Sequence, residues 1–163
     1  MSIARLQARF DRIARLAAAA LLLALAVAAS AVAQQSPAFP KSALTIETAS
    51  GTHRFNIELA QTPEQMSFGL MFRKQMAPDA GMLFVYESPR MAAMWMKNTY
   101  IPLDMVFIGA DGRIVNIAER TVPHSEATVA SNGPVRATLE LNGGTASRLG
   151  IKPGDRVRHE AFK

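Results

Sequence analysis

From Leu44 onward the chain is written in short runs that alternate apolar with polar side chains, or are apolar throughout, each closed by a turn signal. This rhythm constrains the fold more than any other feature. A period of two places successive side chains on opposite faces of a strand, and no helix can be built on it. Leu44-Thr45-Ile46-Glu47-Thr48 and Arg54-Phe55-Asn56-Ile57-Glu58-Leu59 alternate around Ser50-Gly51, which predicts a hairpin. Met82-Leu83-Phe84-Val85-Tyr86 is apolar throughout, fit for a strand covered on both faces. Ser88-Pro89-Arg90 is expected to break it before a second run, Met91 to Lys97. Leu103 to Ile108 and Arg113 to Ala118 flank Ala110-Asp111-Gly112, a hairpin loop in which Gly112 can take a positive φ. Residues 119–134 read as the longest loop, and Val135 to Leu141 and Arg156 to Glu160 as the last strands.

One stretch departs from this rhythm. Thr62-Pro63-Glu64-Gln65 carries an N-cap residue, a proline at the first helical position and an acid in the first turn. A helix is predicted near 62–73, with Arg73 and Lys74 at its C-terminal end, and a helical turn near Ala146 to Leu149. About eight short strands and one helix make residues 44–163 a single, mainly β domain, a compact sandwich or barrel.

Residues 1–33 belong to a different kind of sequence. Arg5, Arg9, Arg12 and Arg15 precede an uncharged run from Leu16 to Ala29, and Ala31-Val32-Ala33 ends the segment. A basic region, an apolar region and a small-x-small site make a cleavable secretory signal peptide, so the mature chain is expected to begin at Gln34 and to be periplasmic or secreted. The apolar stretch is Ala-rich and shorter than the roughly 20 residues of a membrane span, and no later segment is long enough to cross a bilayer. Residues 34–43, with two prolines, read as a flexible lead-in. Four arginines and one aspartate leave with the signal peptide, so the formal charge falls from +5 to +2. No basic cluster remains, which argues against nucleic acid as a partner.

The chain holds no cysteine, which removes disulfides, thiol catalysis and Cys-based metal sites together. His53, His124 and His159 show no metal-ligand spacing, so neither a metal nor a cofactor is expected from them. The methionines of the mature chain crowd between Met66 and Met105, including Met91-x-x-Met94-x-Met96. Thioethers are soft ligands that suit Cu(I), but they also fill irregular gaps in a core.

The segment richest in chemistry runs from Met94 to Asp104. Trp95 offers a flat amphipathic surface and shares a strand face with Lys97. Lys97 and Asn98 can hold a carboxylate or a hydroxyl, and Arg73 is a candidate second cation. Asp104 and Glu140 are candidate partners for these cations, or a carboxylate pair for acid/base work. Arg73, Trp95, Lys97, Asn98 and Asp104 are expected to converge on one concavity, with Glu140 as a further candidate.

The order Gly69-Leu70-Met71-x-Arg73, Gly81-Met82-Leu83-Phe84, then Trp95-Met96-Lys97-Asn98-Thr99 with Ile101-x-Leu103-Asp104, resembles the family known as domain of unknown function 192. Asp111-Gly112-x-Ile114-Val115, Leu139-Glu140-Leu141-x-Gly143 and Gly150-Ile151-x-x-Gly154-Asp155-x-Val157 resemble its remaining signature. Met94 stands where that family usually has an aromatic residue. The resemblance implies a compact, mainly β fold, often exported, and no established activity. Together these features lead to the expectation of a non-catalytic periplasmic module that binds a small polar or anionic ligand or a peptide end. The alternative is a cell-envelope hydrolase with Asp104 or Glu140 as acid/base, and a more remote one is Cu(I) binding by methionines.

Overall fold

A computed structural model describes residues 36–162, so the signal peptide expected at 1–33 lies outside the described residues. Strands β1 (Lys41–Thr48) and β2 (Gly51–Ala60) form the first hairpin, Thr48 facing Gly51 across the turn. Helix α1 (Pro63–Phe68) leads to β3 (Ala80–Met94), which lies parallel to β2. Then come β4 (Leu103–Ile108), β5 (Ile114–Thr121) and β6 (Val129–Asn142). Helix α2 (Thr145–Leu149), β7 (Arg156–Arg158) and a 3-10 turn at Glu160–Phe162 complete the described chain.

All seven strands belong to one sheet in the order β5-β4-β6-β3-β2-β1-β7. The sheet curls until its edges meet at one corner, where Arg113 bridges to Arg156 and Gly112 C=O accepts from Val157 N–H at 2.8 Å. Gly112 takes φ 78° there, and a Cβ would stand 2.7 Å from Val157 O, so glycine serves both the hairpin and the closure. The architecture is a half-barrel rather than a sandwich.

Over the middle of the sheet both faces are buried, which explains why β4 is buried from end to end. Leu83, Val106, Leu139 and Leu141 point inward, packed with Ile114 and Val157 from the two edges and with Ala146 of α2. Met82, Phe84, Met105 and Phe107 point outward, beneath Leu70 and Met96 from the connections that cross the sheet. In β4 alternation thus marks inner and outer layers, whereas in β2 it separates core from solvent.

Three boundaries differ from expectation. Ser88-Pro89-Arg90 does not end the strand: β3 continues to Met94 through register shifts between Val85 and Arg90 and again between Met91 and Ala93. A bulge tolerates proline because the ladder there needs no donor. The loop expected over 119–134 is shorter, since β6 already begins at Val129 and passes through Asn132-Gly133-Pro134. Polar side chains stand in for ladder bonds: Ser131 Oγ accepts from Ala92 N–H at 2.9 Å, and Asn116 Oδ1 from Asn132 N–H at 2.9 Å. The lead-in ends earlier than Ala43, because β1 starts at Lys41.

Helix α1 is also shorter than the 62–73 expected. Thr62 caps the helix and Pro63 holds the first turn, as read from the sequence, and Gln65 completes a capping box with Thr62. Gly69 then turns to φ 49° and ends the helix. A Cβ on Gly69 would come 2.9 Å from the Phe84 ring, so the chain lies flat on β3 only where glycine permits it.

Candidate functional site

The outer face of the sheet is roofed by two segments that touch each other. One is α1 with its following turn; the other is the connection from Trp95 to Pro102 between β3 and β4. Phe72 N–H donates to Asn98 C=O at 2.8 Å, and His124 N–H donates to Thr99 C=O at 3.2 Å. Phe72 (φ 64°), Asn98 (φ 53°) and His124 (φ 61°) are all left-handed, a conformation that costs of order 1 kcal/mol or more for each such residue. Three strained residues from separate loops therefore meet around one spot. Their rings continue across the surface, with Phe72 6.2 Å from Tyr100 and Tyr100 5.0 Å from His124.

Beneath this roof lies a pocket of about 30 Å³. Met66 and Phe68 of α1, with Leu70 and Met71 beyond it, wall one side; Trp95, Lys97 and Thr99 line the other. Phe84 of β3 and Glu140 of β6 line it from the sheet. Such a space admits one or two water-sized groups, since a single water needs about 10–15 Å³ measured this way.

Glu140 decides the character of the pocket. It stands opposite Met82 on β3 and Met105 on β4 and is 4% exposed. Among the described residues it has no hydrogen bond and no ion pair. Burial alone pushes its carboxyl from 4.5 up to about 8. A neighbouring phenol, Tyr86, is likewise raised by burial, while its hydroxyl lies 2.8 Å from Thr138 Oγ1.

The other sequence candidates divide. Trp95 is 49% exposed at the mouth, with Lys97 Nζ 5.4 Å above its ring. Lys97 reaches Glu126 Oε1 at 3.8 Å, a long and exposed pair of little energetic consequence. Asn98 lies behind the wall, its Nδ2 3.8 Å from Met71 Sδ. Arg73 does not join the cluster. Because α1 stops at Gly69, the chain turns away and Arg73 pairs with Glu58 of β2 at 2.5 Å.

Asp104 does not join it either. On β4 it alternates with Leu103 and Met105, so it faces inward while they face outward. It is fully buried and accepts three backbone N–H groups at 2.8 Å: Arg120 and Gly144 on Oδ1, and Ala146 on Oδ2. Asp104 is an anchor that ties β5 and the start of α2 to β4. Asp104 and Glu140 lie on opposite faces of the sheet and form no catalytic pair.

Sequence reading missed the walls of the pocket. Met66, Met71 and Met94 line it together, but the run Met91-x-x-Met94-x-Met96 does not converge. Met91 is 60% exposed, and Met96 is buried with its sulfur 3.0 Å from Thr121 Oγ1. The available signal was the crowding of methionine between 66 and 96. Among the described residues no three His, Asp or Glu side chains are grouped to hold a metal ion, and no helix is long and apolar enough to cross a membrane.

A half-barrel with a small, carboxyl-floored pocket on its outer face defines a class of compact β domain. The chain belongs to the DUF192 family, described as "Uncharacterized ACR", whose pattern matches residues 45–159. Among curated proteins nothing matches. A solved structure from Sinorhizobium meliloti 1021, described as a candidate transcription regulator, is 52% identical with a TM-score of 0.75, covering 78% of this chain and 99% of that one. A protein of unknown function from Novosphingobium aromaticivorans DSM 12444 is 44% identical with a TM-score of 0.72, covering 77% of this chain and 94% of that one.

Proposed function

We propose that this protein is an exported, non-catalytic binding module that seats a small polar ligand, or the end of a peptide, in the pocket above Glu140. One observation carries the reading: a buried carboxyl lines a pocket without any protein partner among the described residues. Burying an unpaired polar group opposes folding, so its partner is sought outside the fold. Apolar walls with a few oriented polar groups at the mouth suit a small ligand. Export rests on the sequence of residues 1–33, and the periplasmic protein is expected to have a mass beginning at Gln34.

The hydrolase alternative asks for two carboxylates flanking one bond. Glu140 meets the requirement of an unpaired acid, but Asp104 is sequestered on the other face, so binding is favoured. Cu(I) binding stands second, supported by the three thioethers of Met66, Met71 and Met94 around one pocket. Transcription regulation, suggested by the Sinorhizobium relative, finds no support in the described residues. Their longest helix, Pro63–Phe68, has six residues, too short for a recognition helix in a major groove.

The test is a fluorescence screen of small polar molecules and short peptides, reading the single Trp95 at the mouth. A saturable shift is expected in the wild-type protein and its loss in Glu140→Leu. A ligand that binds both proteins equally would overturn the reading, as would the absence of any hit.

A further inference from the structure

We propose that the ligand end seated over Glu140 is a primary ammonium group, an inference that rests on the pocket being the binding site. Three features of the cavity select this chemistry. The first is its floor, since Glu140 has no hydrogen bond from the protein among the described residues, and once a cation has ionised it the carboxylate accepts only. The second is its walls. The rings of Phe68, Phe84 and Trp95 line the same space as the thioethers of Met66, Met71 and Met94. Ring faces attract cations, and thioether sulfur is a weak acceptor, so these walls suit a cation better than an anion. The third is size. A space of about 30 Å³ takes a water-sized –NH₃⁺ but not a planar guanidinium or a trimethylammonium.

The charged groups nearby fit this assignment. Lys97 is the one cationic side chain among the described residues that line the pocket, and its Nζ lies over the Trp95 ring at the mouth rather than on Glu140. From β3, Tyr86 approaches Glu140, and its hydroxyl is held by Thr138 of β6. From β4 the facing residue is Met105, and α1 with its turn presents Met66, Phe68, Leu70 and Met71. None of the latter titrates. An ammonium would therefore meet the carboxyl without displacing a protein cation.

Burial makes the arrival of the ligand a proton exchange. The empty site holds its carboxyl proton up to about pH 8. The ammonium brings the opposite charge that ionises it, the Glu140 O–H bond breaks, and the proton leaves to solvent. At pH 7 about 0.9 proton should be released for each ammonium bound.

The experiment is isothermal titration of the chain from Gln34 with n-butylamine in phosphate and in HEPES at pH 7, whose different ionisation heats report proton release. A trialanine amide with a free amino terminus and its N-acetylated form distinguish a peptide end from a free amine. Butyrate and tetramethylammonium serve as controls. Saturable binding of an amine or the free peptide, with close to one proton released and at least a tenfold loss in Glu140→Gln, is the expected result. Far-UV circular dichroism confirms that the variant is folded. Binding of butyrate in preference to butylamine, or amine binding without proton release, overturns the ammonium assignment while leaving the pocket a binding site. A Trp95 signal that none of these probes nor any other small molecule moves overturns both readings.

Discussion

Replacing Glu140 with glutamine should make the protein more stable, and increasingly so as the pH rises. The sign follows from linkage. The folded state holds the Glu140 proton up to about pH 8, whereas the unfolded chain releases it near 4.5. Between those values the folded state binds more protons, so stability falls as pH rises. At about 1.4 kcal/mol per pH unit, the penalty is roughly 1 kcal/mol at pH 5, roughly 3 at pH 7 and approaches 5 at pH 9. Glutamine keeps the shape and cannot ionise, so it should escape this penalty. Urea denaturation of both proteins at pH 5, 7 and 9, followed by far-UV circular dichroism, measures the difference directly. Other groups titrate in both proteins and cancel. A difference that does not change with pH, or one that favours the wild type as pH rises, would refute the claim that Glu140 is buried and unpaired. A few kcal/mol is a large fraction of the 5–15 kcal/mol that holds a typical domain together.

Asp104→Asn should destabilise by about 2–4 kcal/mol, because a neutral amide has one oxygen for three backbone donors; a change under 0.5 kcal/mol by chemical denaturation would show that the anchor is dispensable. Trp95→Ala should cost less than about 1 kcal/mol in the same assay, since the ring is half exposed, while ligand binding weakens measurably. Gly112→Ala should cost about 2–3 kcal/mol, from its positive φ and the 2.7 Å approach to Val157 O. Thermal melts would check this, and an unchanged midpoint would mean that the corner closure adds little.

Period-two alternation located the strands because it assigns each side chain to a face, core against solvent in β2 and inner against outer layer in β4. It placed the hairpins at Ser50-Gly51 and Asp111-Gly112, whose residues supply the required turns. It could not foresee that β3 and β6 run on through Pro89 and Pro134, because a bulge depends on the partner strand. Arg73 was misplaced for a local reason, the early end of α1, which follows from the close approach of Gly69 to Phe84. The error at Asp104 had a different origin. Its parity relative to Leu103 was legible, but its true partners are backbone groups from Arg120, Gly144 and Ala146, far along the chain. Trp95, Lys97 and Glu140 do share one pocket. The left-handed residues that hold its roof, Phe72, Asn98 and His124, carried no sequence mark, except that asparagine tolerates this conformation better than most residues.

The strand order also fixes when, during synthesis, the protein can become itself. Strand β6 is the seam of the sheet, lying between β3 and β4, yet it spans Val129–Asn142, near the end of the chain. A nascent chain that has reached Thr128 holds β1, β2 and β3 on one side and the β4–β5 hairpin on the other, without the strand that lies between them in the sheet. Both fragments then expose unpaired edges and half of an apolar layer. The carboxylate of Asp104 waits for Gly144 and Ala146, and the free edge of β1 waits longer still, for Arg156–Arg158. Such pairing between distant segments is intrinsically slow. The sheet therefore cannot close before Val129–Asn142 has been made, whatever order the earlier strands adopt.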